Sequence, residues 1–194
     1  GCHGTTEYLL DSNGNEREQA NYCYVPSTWA ENIVEQAEKD GLRLSYHTPY
    51  RLNIHRDEFC KLAWQTIQTV NPNINLPELT QPFSDCDEDI VRQIAALGIV
   101  TGYEDGTFQP TRELSRQEAA VILQRLYTVL YGKIEASPTL YADNGSIGVW
   151  AKDSVYAMRQ TGIMQGVGAN RFDPKNGYTC EQSIITMLRM TQKA

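Results

Sequence analysis

The sequence predicts a mainly α-helical protein made of three helix–loop–helix repeats behind a short N-terminal β-hairpin. Three observations predict this fold class. A glycine–phenylalanine–proline pattern recurs at a fixed spacing, apolar residues recur at helical spacing, and capping boxes precede the longest apolar segments. An Asn-Gly pair near the N-terminus favours a tight hairpin turn.

Composition narrows the class of protein. The chain has 194 residues, of which 41% are hydrophobic and 21% charged, which is typical of a folded protein. The net charge of -7, without any run of lysine or arginine, argues against nucleic acid as a partner. No apolar stretch reaches the roughly 18 residues needed to span a bilayer, so we expect no membrane insertion.

The hairpin is predicted from two segments rich in tyrosine, leucine and valine, residues 5–10 and 19–25, joined by a turn at Asn13-Gly14. Such a hairpin brings Cys2 near Cys23, and whether the two form a disulfide stays open. Residues 11–15 resemble the start of a calcium loop but lack its closing glutamate, so no metal site is predicted. Residues 1–25 are therefore a separate hairpin or the end of an upstream domain in the same polypeptide.

The repeat is clearest in two loops that follow predicted helices. Three pairs of identical residues stand 64 positions apart: Gly98 and Gly162, Phe108 and Phe172, Pro110 and Pro174. The helices before these loops are predicted at residues 29–40, 87–97 and 150–161. Glycine at the end of each one is suited to a left-handed C-terminal cap, as at Gly41, Gly98 and Gly162.

A second, capped helix follows each loop. Ser115 with Glu118 and Thr179 with Gln182 form capping boxes, while His55 occupies the same cap position in the first repeat. A further box, Thr28 with Glu31, is predicted at the start of the first helix. These units define repeats at residues 26–75, 82–132 and 139–194, whose second helices are expected to share one core. Cys60 and Cys86 read as small buried hydrophobes.

These residues resemble the S-layer homology domain family across residues 26–192. The second repeat carries the family pattern along its whole length: Phe83-Ser84-Asp85, Gly98-Ile99-Val100-Thr101-Gly102-Tyr103, Asp105-Gly106-Thr107-Phe108-Gln109-Pro110 and Leu114-Ser115-Arg116-Gln117-Glu118. The third repeat keeps Tyr141-Ala142-Asp143, Trp150-Ala151, Gly162-Ile163-Met164-Gln165-Gly166 and Phe172-Asp173-Pro174. Its second helix starts with Cys180 where the family has arginine, and the first repeat lacks the Asp-Gly-Thr-Phe loop.

The resemblance implies a pseudo-threefold spindle in which the second helices form a central three-helix bundle and grooves lie between neighbouring repeats. It also implies a secreted bacterial module at the cell surface or cell wall. Members of the family bind a secondary cell-wall polysaccharide, often one with pyruvylated amino sugars, without catalysis and without a cofactor.

The candidate glycan-binding residues are Arg116, Arg56, Tyr103, Gly106 and Asp85. Both arginines fall in the first turn of a helix, where unpaired N–H groups, the helix dipole and a guanidinium fork together suit a carboxylate. Tyr103 could stack on a sugar, and Gly106 lies in a loop that allows close backbone approach.

Structural roles compete with each of these interpretations. An arginine at a helix start often pairs with a nearby group of its own chain, and Asp85, like Asp143, is more typical of a turn or cap. Trp29 and Trp150 are predicted to be core anchors rather than sugar platforms. Because Cys180 cannot supply a positive charge, the third groove is expected to be weak or empty.

No catalytic constellation is visible. The sequence has no H-E-x-x-H metal motif, nucleophile elbow or phosphate loop, so we expect no enzyme activity. Two functions remain: cell-wall anchoring through glycan binding, or a protein-interaction or spacer module that has lost glycan affinity. A third possibility is that the chain anchors an enzyme domain located upstream.

Overall fold

The computed structural model describes residues 8–10, 16–18, 24–44 and 48–193. Within them the chain is mainly helical, which confirms the predicted fold class. The elements are β1 (Tyr8–Leu10), β2 (Glu16–Glu18), α1 (Glu31–Lys39), α2 (Arg56–Val70), α3 (Asp89–Ala96), α4 (Arg116–Tyr131), α5 (Lys152–Gln160) and α6 (Cys180–Thr191). Two short 3₁₀ turns, Asn144–Ser146 and Val149–Ala151, precede α5.

The N-terminal strands pair antiparallel, with Tyr8 opposite Glu18 and Leu10 opposite Glu16. β2 lies N-terminal to the segment predicted as the second strand, most of which falls outside the described residues. Cys2, Cys23 and the turn at residues 11–15 also lie outside them. The turn and the calcium interpretation therefore stay untested, and so does the disulfide.

The six helices form three pairs arranged around a common centre. The inner helix α2 packs on α6 and contacts α4, and the Tyr131 hydroxyl of α4 donates a hydrogen bond to the Met190 carbonyl of α6. Each outer helix packs on the inner helix of another repeat: α1 on α6, α3 on α2 and α5 on α4. The arrangement is cyclic, so the third repeat closes against the first.

A ring of three backbone hydrogen bonds lies where the loops before the inner helices meet. The Ile54 N–H donates to the Tyr178 carbonyl (2.8 Å), Tyr178 N–H to Leu114 (2.9 Å), and Leu114 N–H to Ile54 (3.1 Å). All three side chains are buried. Three pairs of flanking residues form single antiparallel bridges: Asn53 with Thr179, His55 with Glu113, and Ser115 with Gly177.

The inner helices begin with their first two N–H groups already bound to a neighbouring repeat. The donor–acceptor pairs are Arg56–Arg112, Asp57–Pro110, Arg116–Asn176, Gln117–Pro174, Cys180–Leu52 and Glu181–Tyr50. The expectation of unpaired N–H groups at these helix starts is therefore wrong. At a free helix start, an anion can accept hydrogen bonds from these N–H groups. Here backbone carbonyls accept them instead.

The capping boxes at α4 and α6 are confirmed. The side chains of Ser115 and Thr179 accept from the backbone N–H groups of Glu118 and Gln182, whose side chains accept in return. The box predicted at Thr28 is wrong, because α1 begins at Glu31 after Ala30 and has no side-chain cap.

The three glycines predicted as left-handed caps adopt that conformation. Gly41, Gly98 and Gly162 have φ angles of 89°, 72° and 73°. Cys60 and Cys86 are buried, as predicted, and so is Cys180. Burial raises the pKa of the Cys180 thiol to about 12 and also raises that of Cys60. These thiols therefore stay protonated at neutral pH.

A substitution at Gly102 tests how tightly the loop of the second repeat is packed. A Cβ atom there would lie 2.7 Å from the Thr107 carbonyl oxygen and 2.8 Å from the Phe83 ring. We expect Gly102→Ala to lower the free energy of unfolding by about 1–3 kcal/mol, the usual cost of overpacking. Chemical denaturation measures this.

Gly145→Ala is the matched control, since a Cβ atom there has no neighbour within 4 Å. Its free energy of unfolding should stay within about 0.5 kcal/mol of the parent. Equal losses in the two variants would contradict the packing argument.

Candidate functional site

Two equivalent grooves lie at the seams between repeats. Groove A has a volume of about 380 Å³ and is lined by, among others, Trp29, Arg116, Gln165, Gly166, Gln182 and Arg189. Groove B has a volume of about 230 Å³ and is lined by, among others, Trp150, Arg56, Thr101, Gly102, Glu118 and Arg125. Each residue of one list has its counterpart in the other, so the repeat produces the same groove twice.

Each groove contains a buried arginine from the first turn of an inner helix. Arg116 donates from Nε to the Phe172 carbonyl and from Nη2 to the Gln165 carbonyl, both at 2.8 Å. Arg56 makes the corresponding bonds to Phe108 and Thr101, both at 2.9 Å. The guanidinium of Arg116 also lies 5.0 Å from the centre of the Phe172 ring.

These contacts give the arginines a structural role without using every donor. In both residues Nη1 makes no hydrogen bond within the described part of the chain. Burial lowers the pKa of Arg116, although an arginine remains protonated at any physiological pH. Both candidate arginines therefore lie in the grooves, each fixed by two bonds to the loop of the next repeat.

Trp29 and Trp150 are not core anchors, and that prediction is wrong. Their exposed fractions are 59% and 61%, and each lines a groove. The helical pattern was misleading because α1 begins at Glu31, so Trp29 precedes the helix and lies off its apolar stripe.

A polar side chain from another repeat anchors the segment before each tryptophan. Glu181 accepts from the N–H and the hydroxyl of Ser27, both at 2.8 Å. Gln117 accepts from the N–H of Gly148 at 2.9 Å. Both Ser27 and Gly148 lie two residues before a tryptophan, so these bonds set where each indole is presented.

A second arginine in each groove was missed by the sequence analysis. Arg125 and Arg189 occupy the same position on α4 and α6, 64 residues apart like the other repeated positions. Arg189 donates to the Ile163 carbonyl at 3.2 Å. Arg125 makes no hydrogen bond or ion pair within the described residues. The repeat spacing could have revealed this pair.

Tyr103 lines groove B, where its ring lies 5.1 Å from the guanidinium of Arg56 and its hydroxyl bonds to Arg112. Gly106 lies in the adjacent turn with a φ angle of 80° and does not line either groove. The structure thus brings Tyr103 and Arg56 together and leaves Gly106 outside.

Asp85 and Asp143 tie each repeat's loop to the segment before its first helix. Asp85 accepts from the N–H groups of Phe108 (2.7 Å) and Gln109 (2.9 Å), and Asp143 accepts from those of Phe172 (2.9 Å) and Asp173 (2.8 Å). The bond from the Phe108 N–H holds the pKa of Asp85 below its ordinary value. Neither carboxylate lines a groove, so both act as loop tethers.

The third seam lacks the residues that the two grooves share. Cys180 stands at the position of Arg56 and Arg116, and Cys86 stands at the position of the tryptophans. Residues 45–47, which belong to the corresponding loop, lie outside the described residues. The expectation of a weak or empty third groove therefore stays a prediction.

The described residues contain neither a metal-binding cluster nor a membrane-spanning helix. No cluster of three or more histidine, cysteine, aspartate or glutamate side chains could hold a metal ion. No described helix has both the length and the apolar character needed to cross a membrane.

Replacing Arg116 should destabilise the protein. Arg116→Ala leaves the Phe172 and Gln165 carbonyls without their donor, so we expect the free energy of unfolding to fall by about 1–3 kcal/mol. Denaturant titration measures this. Arg125→Ala is the control, because Arg125 has no such bonds within the described residues, and it should change stability by less than about 0.5 kcal/mol. An unchanged stability of Arg116→Ala would rule out the tethering role.

The lowered pKa of Asp143 predicts how the stability of the protein depends on pH. Burial alone would raise its pKa, but the N–H groups of Phe172 and Asp173 outweigh burial and lower it. A carboxyl whose pKa is lowered by folding stabilises the protein above its unfolded value of about 3.9, and this stabilisation disappears as the pH falls through the folded pKa.

We therefore expect Asp143→Asn to lower the free energy of unfolding by about 1–3 kcal/mol at pH 7. The loss should shrink below about pH 4, where the parent also loses the charge. Asp87→Asn removes an exposed carboxylate with no such bonds among the described residues and serves as the control. A loss at pH 7 that persisted undiminished at low pH would contradict the role of the charge.

Comparison with known proteins identifies the repeats. The sequence profile of the S-layer homology domain matches residues 84–120 and 145–177, which lie in the second and third repeats. An S-layer protein of Bacillus thuringiensis subsp. finitimus is 33% identical over 100 residues, covering 52% of this chain and 12% of that protein.

Two enzymes contain similar segments. An endoglucanase of Bacillus sp. (strain KSM-635) is 32% identical over 107 residues, which cover 53% of this chain and 11% of the enzyme. An amylopullulanase of Thermoanaerobacterium thermosulfurigenes is 23% identical over 182 residues, which cover 88% of this chain and 9% of the enzyme. The chain thus spans about a tenth of the length of these relatives. Two segments of this chain, residues 84–120 and 145–177, thus match the S-layer homology domain.

Proposed function

We propose that this chain anchors its parent protein by binding an acidic cell-wall polysaccharide, without catalysis, in grooves A and B. The family and its surface-layer relatives already place the chain at the bacterial cell surface as an anchoring module. The proposal adds the ligand class and the two binding sites. One observation carries the proposal: each groove has a tryptophan and two arginines at corresponding positions.

The chemistry of these three side chains suits an acidic sugar. A guanidinium donates strong, charge-assisted hydrogen bonds to a carboxylate or phosphate. Arg116 is fixed by its own two bonds to backbone carbonyls, so its remaining nitrogen needs little ordering on binding. The exposed indole of Trp29 offers an apolar face to the sugar ring.

The net charge of -7 does not oppose this role, because the grooves are locally cationic. Groove A is lined by Arg116 and Arg189 and by no carboxylate. Groove B also contains two arginines, and it includes Glu118, whose carboxylate is engaged by Ser115 and Arg112. We therefore expect groove A to bind the anion more strongly than groove B.

The competing function is that of a protein-interaction or spacer module that keeps the fold without glycan binding. The loss of arginine and tryptophan at the third seam, where Cys180 and Cys86 stand, favours it. In that case the exposed tryptophans would contact a partner protein and would not bind wall polysaccharide.

The test is a pull-down of the protein on purified cell-wall sacculi, before and after the non-peptidoglycan polymer is stripped. We expect binding to intact walls and its loss on stripping. Trp29→Ala and Arg189→Gln should each weaken binding roughly tenfold, the effect of one stacking or charged contact. Trp150→Ala and Arg125→Gln should have smaller effects, because they alter groove B.

Lys133→Gln is the matched control, since it removes one exposed positive charge away from both grooves and should leave binding unchanged. Circular dichroism should show that every variant is folded. Binding that survives stripping of the polymer, or no binding to intact walls, would refute glycan anchoring and favour the interaction or spacer function.

A further inference from the structure

A third cavity lies beside groove A, and the second repeat has other residue types at the positions of its tyrosine and its two arginines. We call it the outer cavity. Its volume is about 350 Å³, and it is lined by, among others, Tyr141, Arg159, Gln165, Gly166, Asn170 and Arg171. Gln165 and Gly166 also line groove A, so the two spaces share one wall.

Two arginines line the outer cavity. Arg159, in the last turn of α5, lies 4.6 Å from the centre of the Tyr141 ring. Its guanidinium makes no hydrogen bond or ion pair within the described part of the chain. Arg171 is 55% exposed and forms two ion pairs, with Asp143 and Asp173, each with an N···O distance of 3.7 Å. No carboxylate lines the cavity.

The Tyr141 hydroxyl points to a missing partner. Tyr141 is only 4% exposed, and its hydroxyl oxygen is buried without a hydrogen-bond partner among the described residues. A buried polar group left unpaired costs about 1–3 kcal/mol, so such groups are rare without a reason. The hydroxyl oxygen is closed to solvent, so an oxygen atom of a ligand in this cavity would become its partner only after a small movement of the ring.

The cavity residues are not required by the repeat scaffold. The second repeat has Phe83 at the position of Tyr141, Ala95 at that of Arg159 and Thr107 at that of Arg171. It folds into the same loop, with Asp85 making the bonds that Asp143 makes in the third repeat. The hydroxyl and both arginine side chains are therefore additions to a repeat that folds without them.

We propose that the outer cavity binds an anionic group, a carboxylate or a phosphate, on the polymer unit next to the one held in groove A. The inference rests on the proposed function, since groove A must hold the first unit. The shared wall at Gln165 and Gly166 lets one chain contact both spaces. Groove A with its outer cavity then recognises two successive units, whereas groove B recognises one.

The test uses the polymer released and purified from the walls, and a fragment of it that contains a single acidic repeating unit. Calorimetry measures the affinity of each. In the double variant Arg159→Gln, Arg171→Gln, we expect the affinity for the polymer to fall by about tenfold or more, since charge-assisted bonds are lost. The affinity for the single-unit fragment should not change, because that fragment fills groove A alone.

Two control variants separate this effect from net charge and from folding. Lys133→Gln with Lys193→Gln removes the same charge from exposed positions outside the cavity and should leave polymer affinity unchanged. Tyr141→Phe removes only the unpartnered hydroxyl. It should keep or raise the melting temperature without ligand and still weaken polymer binding.

Two treated polymers distinguish the sources of the anion. If the group is a carboxylate, chemical reduction of the carboxyl groups should abolish the difference between parent and double variant. If it is a phosphate, hydrofluoric acid cleavage of the phosphodiesters should abolish it.

Equal polymer affinities of the parent and the double variant, with Trp29→Ala still weakening binding, would overturn this inference and leave the proposed function intact. No binding of the polymer by the parent protein would overturn both.

Discussion

The ring of backbone hydrogen bonds among Ile54, Leu114 and Tyr178 is the constraint on which the rest of the structure depends. It joins residues that are far apart in sequence, and the inner helices start immediately after it. The first two N–H groups of each of these helices then bind carbonyls of a neighbouring repeat. This satisfies groups that a helix start otherwise leaves unpaired, and it fixes where each inner helix meets the loop of the next repeat.

The same constraint determines what the grooves can use for binding. In the proposed function, Arg56 and Arg116 therefore act through their side chains, because the helix N–H groups beside them are occupied. From the sequence, a structural role and a ligand role for these arginines were competing alternatives. The geometry supports a combination, since two bonds to the neighbouring loop hold each guanidinium in the groove wall. A donor fixed in this way loses little entropy on binding.

Local patterns in the sequence predicted the parts of the fold that local interactions determine. The left-handed caps at Gly98 and Gly162 and the boxes at Ser115 and Thr179 depend on neighbouring residues, and all were confirmed. The exposure of Trp29 was not predictable in this way. It depends on where α1 begins and on a bond from Ser27 to Glu181, which is 154 residues away in the sequence. The pseudo-threefold arrangement of the repeats was expected only from the family resemblance, because it depends on contacts between residues far apart in the sequence.

A scaffold held together by main-chain bonds lets the seams differ from one another. Replacing a side chain at a groove position leaves the Ile54–Leu114–Tyr178 ring intact, so the fold tolerates Cys180 where the other seams have arginine. The third repeat shows the opposite change, since it has Arg159 and Arg171 where the second repeat has Ala95 and Thr107. Three seams with one backbone can thus have different affinities. A wall polymer that presents many units would then be held mainly at the strongest seam, while the other seams add to the total affinity through effective concentration.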